Sequence, residues 1–109
     1  MNIEAIHSRL GDIEKRYNEI GEQLMSEEVL SNPREVTKLS REQARLSGSV
    51  EAYHELLELD SRIQEAHELE KDNDPDMRQM AEDELSECEP KREALLEHIQ
   101  HLLIPQDPD

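Results

Sequence analysis

The sequence predicts an all-α fold: an elongated antiparallel three-helix bundle, coiled-coil-like, with a long central helix. Three observations carry this. Apolar residues recur in alternating steps of three and four along most of the chain, the signature of a coiled-coil seam. Glu, Leu and Arg are abundant, whereas there are only three Gly and five Pro and the only aromatics are Tyr17 and Tyr53, a balance that favours helix over strand. Twice, a capping Asn or Asp stands directly before a proline, the pattern of a helix start.

The core must be thin. Of 109 residues, 34% are hydrophobic against 37% charged, and Trp and Phe are absent, so burial falls to Leu, Ile, Val, Met and Ala. Ile3, Ile6, Leu10, Ile13, Tyr17, Ile20 and Leu24 form an unbroken seam and predict a first helix over about 2–25. Gly11 and Gly21 lie off that seam, each costing about 1 kcal/mol relative to Ala, which makes this the softest helix. Ser26, followed by Glu27 and Glu28, predicts a new cap and a short helical turn.

Asn32-Pro33-Arg34-Glu35 starts a second helix, over about 33–71, with Glu three residues past the cap. Its seam reads Val36, Leu39, Gln43, Leu46, Val50, Tyr53 and Leu57, then shifts phase to Leu56, Leu59, Ile63 and Ala66, as a stutter would. At 1.5 Å per residue it spans roughly 57 Å. Asp74 and Pro75 start a third helix, over about 75–103, with Ala81, Leu85, Cys88, Arg92, Leu95, Ile99 and Leu102 on its seam. Pro90 falls inside it, which predicts a kink near Glu87 rather than two helices. Short connections make consecutive helices antiparallel, so the first and third should pack along the second. Residues 1–104 read as one helical domain and 105–109, Pro-Gln-Asp-Pro-Asp, as a linker leaving it.

With 28 acidic and 12 basic side chains, the formal charge of −16 opposes non-specific DNA or RNA binding as a main activity, although a local basic patch can persist. Cys88 is the only cysteine, so no internal disulfide forms. The first residues lack a signal-peptide pattern and no apolar run approaches the roughly 20 residues needed to span a bilayer. The chain reads as cytoplasmic, with no DNA or membrane partner.

Chemistry is sparse. Of His7, His54, His67, His98 and His101, only the last two fall within one helical turn, and Cys88 lies ten residues upstream, so surface histidines are expected rather than a metal site. No phosphate-cradling Gly-rich loop and no nucleophile motif is present, and neither catalytic residue nor cofactor is expected. Cys88, on the apolar seam, reads as core. Arg34, Lys38, Arg41 and Arg45 follow steps of four, three and four and form a basic stripe, either salt-bridged to neighbouring acidic faces or binding a partner's phosphate or acidic surface. Glu65 to Glu89 holds eleven acids against Lys71 and Arg78, a net −9, either a solvated face or a dock for a basic partner.

Three stretches, LSREQARLS (39–47), DNDPDMRQMAEDEL (72–85) and HLLIPQDPD (101–109), resemble the N-terminal domain of the bacterial peptide chain release factor 1 family, which acts at UAA and UAG codons. The resemblance covers the whole chain. Its Pro-x-Asp-Pro ending is similar to that family rather than to the sister factor for UGA, which stays open as an alternative. The resemblance implies a domain positioned near the stalk base of the large ribosomal subunit, in interplay with the GTPase release factor. The family's Gly-Gly-Gln hydrolysis tripeptide and Pro-x-Thr codon-reading tripeptide are absent, so a non-catalytic domain is expected, with hydrolysis carried out elsewhere in a longer protein. A monomer is expected. The rival from another class is a self-associating coiled-coil scaffold, since such seams also build dimers.

Overall fold

The computed structural model describes residues 2–104. The linker expected at 105–109 lies outside the described residues. Among the described residues there are four helices and no strand: α1 (Ile3–Gln23), α2 (Glu27–Leu30), α3 (Pro33–Leu69) and α4 (Pro75–Leu102). The fold is all-α, with α3 the longest helix at 37 residues.

Each helix begins where a side chain can satisfy an orphan backbone N–H. Asn2 Oδ1 accepts from the Ala5 amide at 2.7 Å, Ser26 Oγ from Val29 at 3.3 Å and Asn32 Oδ1 from Glu35 at 3.4 Å. Before α4 the device is doubled: Asp72 Oδ1 accepts from the Asp74 amide at 2.8 Å and Asp74 Oδ1 from the Asp76 amide at 2.9 Å. The short turn expected after Ser26 is α2. The long helices end within two residues of their expected ends, where fraying makes any boundary soft.

The chain divides into two compact units, Met1–Tyr53 and His54–Asp109. In the first, Ile6, Leu10 and Ile20 of α1 and Leu39, Val50 and Ala52 of α3 are buried. Here α1 and α3 run antiparallel, because the start of α1 meets the later residue Tyr53 of α3 and the second half of α1 meets the earlier residues Glu42 and Gln43. His7 meets Tyr53 edge-on, with ring centroids 6.1 Å apart, Arg16 meets Glu42, and Gly21 faces the Gln43 side chain.

In the second unit, Leu56, Leu59 and Ala66 of α3 are buried, as are Ala81, Leu85, Cys88, Leu95 and Ile99 of α4 and Leu103 just beyond it. Arg62 pairs with Glu84, and Asp60 with Arg92, again antiparallel. Arg92, placed on the seam by its spacing, is half-buried because Asp60 takes its guanidinium.

The phase shift expected in α3 falls where the chain passes from one unit to the next. Leu56 is fully buried whereas Leu57 is 42% exposed, so the seam steps from Tyr53 to Leu56 to Leu59 and never uses Leu57. From Val50 the seam thus takes three consecutive steps of three, where a regular heptad alternates three with four, before a step of four resumes at Ile63. Pro90 sits within α4 as one continuous helix. It is exposed, and the Ser86 carbonyl that loses its usual donor also lies on an exposed turn, where water can reach it.

Candidate functional site

The first turns of α3 carry Arg34, Lys38, Arg41 and Arg45, all exposed. At 3.6 residues per turn these positions fall within about 60° of one another around the helix axis. They stand on the side away from buried Leu39 and Val50, so the same periodicity that fills the core turns the cations to water. Together with Pro33 and Thr37 they line an open surface depression in which no carboxylate takes part. Among the described residues none of the four has a carboxylate partner within 4.0 Å. The salt-bridged alternative for the stripe therefore has no counterpart there.

A specific contact explains why. Glu42, one turn from Lys38 and from Arg45, would be the natural ion-pair partner within the helix. Instead it accepts two hydrogen bonds from Arg16 of α1, from Nε at 2.6 Å and from Nη2 at 2.8 Å. This fork-on-fork geometry suits guanidinium and carboxylate. The hydrogen bond from Arg16 holds the Glu42 carboxyl below its ordinary range, with weaker pulls from Arg16, Arg45 and Lys38 charges. The same bond pushes the Arg16 guanidinium up. Beside the cations, about a quarter-turn away, runs a second exposed row made only of small or compact residues: Pro33, Thr37, Ser40, Ala44 and Gly48. The Thr37 hydroxyl is spent on the Pro33 carbonyl at 3.0 Å.

The PCRF domain family matches residues 13–109. The chain belongs to the PCRF domain family. It is 37% identical over 102 residues to peptide chain release factor 1 of Geobacillus sp. (strain WCH70) and 36% identical over 102 to that of Geobacillus kaustophilus. It is 35% identical over 105 residues to peptide chain release factor 1 of Listeria welshimeri. These alignments take in 93–95% of this chain but only 28–29% of each relative, so the chain spans less than a third of the curated relatives it matches. No solved structure matches it.

Elsewhere in this PCRF domain several charged groups pair with one another. In the acidic run, Glu84 pairs with Arg62, and Glu87 binds Lys91 at 3.0 Å. Glu70 meets His67 at 2.7 Å, Glu68 meets Lys71 at 3.5 Å, and Asp72 and Asp74 cap the turn. Part of the run is thus engaged in local pairs and caps. Cys88 is fully buried and its thiol donates to Glu84 Oε1 at 3.0 Å. Burial pushes the thiol up, away from the reactive thiolate, as a core cysteine requires. Among the described residues no group of three or more His, Cys, Asp or Glu could hold a metal ion. No helix of the described residues is long and apolar enough to cross a membrane.

Sequence reasoning singled out the four cations but missed Arg16, Glu42 and the row of small residues. A signal was present. Arg16 and Glu42 each immediately precede a seam residue, Tyr17 and Gln43, the flanking position from which charges bridge coiled-coil helices.

Proposed function

We propose that this chain is the non-catalytic N-terminal domain of a cytoplasmic peptide chain release factor for UAA and UAG codons. It positions the factor on the ribosome near the stalk base of the large subunit, in interplay with the GTPase release factor, while another domain performs hydrolysis. One observation carries this reading: 35–37% identity to peptide chain release factors 1 along nearly the whole chain. The Pro-x-Asp-Pro ending, Pro105 to Pro108, supports the UAA/UAG assignment over UGA. Seam residues such as Ile6, Leu10, Leu56 and Ile99 are buried within the chain, which favours a monomer over a self-associating scaffold. The docking surface in this reading is the stripe Arg34, Lys38, Arg41 and Arg45.

The test is removal of residues 1–104 from the full-length factor. Ribosome affinity and the response to the GTPase factor should both fall, while hydrolysis at saturating factor persists. Unchanged affinity and response would remove the positioning role.

A further inference from the structure

We propose that the cationic face of α3 binds the phosphate backbone of double-stranded RNA, and that Arg16 is a positioning residue that keeps Glu42 off that face. The proposal rests on the ribosome-docking reading and names the chemistry of its surface. Four of the 12 Lys and Arg side chains of a strongly acidic protein share this one stretch of helix and remain without carboxylate partners among the described residues. Successive positions rise by about 6, 4.5 and 6 Å along the axis, a line of charge some 16 Å long that suits a continuous polyanion. Three of the four are Arg, whose planar fork meets phosphate oxygens in pairs.

The neighbouring surface selects among anions. The row Pro33, Thr37, Ser40, Ala44 and Gly48 raises no large side chain, so a broad, stiff body can lie close to the helix. Peptide-binding faces commonly set an aromatic or large apolar anchor beside their Arg side chains, and an unpaired strand needs a ring for its bases to stack on. None of the exposed large hydrophobic residues falls between 33 and 48, and no aromatic lies there. A duplex backbone needs neither. The net charge of −16 slows long-range approach without cancelling close contacts, since exposed charges are screened over about 8 Å at physiological salt.

The experiment measures binding of the 109-residue chain to a 16-base-pair RNA hairpin by fluorescence anisotropy, with poly-L-glutamate as competitor, alongside binding to intact ribosomes. Four phosphate contacts predict a fall in hairpin affinity of about 50- to 150-fold between 50 and 200 mM salt. Arg41→Glu/Arg45→Glu, with helicity verified by circular dichroism, should abolish hairpin binding. Arg16→Ala should weaken it and flatten the salt slope by about one contact, because freed Glu42 turns to Lys38 or Arg45. Arg16→Ala/Glu42→Gln should restore it, which loss of a merely structural contact would not do. Poly-L-glutamate displacing the hairpin at equal charge would assign the face to an acidic protein and overturn the proposal. Ribosome binding by the unsubstituted chain without hairpin binding would leave docking intact and sink this inference. Hairpin binding without ribosome binding would do the reverse.

Discussion

At the residue scale, the Arg16–Glu42 fork joins α1 to α3, and its dependence on pH follows from the direction of the Glu42 shift. Held by Arg16, folded Glu42 takes up its proton only below the ordinary carboxylate range, so on acidification the unfolded chain is protonated first. The pair's contribution is therefore complete above that range and is lost as pH falls through the lowered folded value. Glu42→Gln should lower Tm at pH 7, and the gap from the parent chain should stay constant to about pH 6 and close toward pH 3. Thermal unfolding followed by circular dichroism reads this directly. A gap that persists undiminished at pH 3 would mean that shape, not charge, holds the contact. Individual partners of this kind were the least legible part of the sequence. Spacing puts Arg16 and Glu42 beside the seam, but only the packed pair of helices selects Glu42, rather than Glu19 at 3.9 Å, as the close partner.

Helices were legible because their signals are local and agree with one another. Caps at Ser26, Asn32 and Asp74 fix starts, and three-four spacing fixes the buried stripe, so Ile6, Leu10, Ile20, Leu39, Cys88 and Ile99 could be named core before any packing was known. Leu56 and Leu57 show where this stops. Both are leucines at an ambiguous register, and the choice between them is made by the neighbour against which α3 packs. Pro90 tests helix energetics alone. It is exposed and removes one intrahelical donor, so Pro90→Ala returns an amide to the Ser86 carbonyl without disturbing a buried position. The expected gain is about 1–3 kcal/mol, from urea denaturation with an unchanged m-value. No gain would mean that the turn around Ser86 is already satisfied through water.

For the whole molecule, charge works in two directions at once. Folding gathers an excess of carboxylates, 28 acids against 12 bases, and the resulting self-repulsion opposes compaction. The ion pairs that offset it, such as Lys91 with Glu87 and Lys71 with Glu68, are exposed, and exposed pairs each contribute little. Diffuse repulsion acts over longer distances than contact pairs, so added salt removes more of it than it removes of the pairing. Raising NaCl from 10 mM to 0.5 M at pH 7 should accordingly raise Tm. The same addition should weaken association through Arg34, Lys38, Arg41 and Arg45, because counterions then compete for phosphate. Stability and binding are thus expected to move oppositely along one salt series on one sample. A Tm that falls with salt would place the net electrostatic balance with the specific pairs, and the acidity would then be neutralised locally rather than tolerated globally.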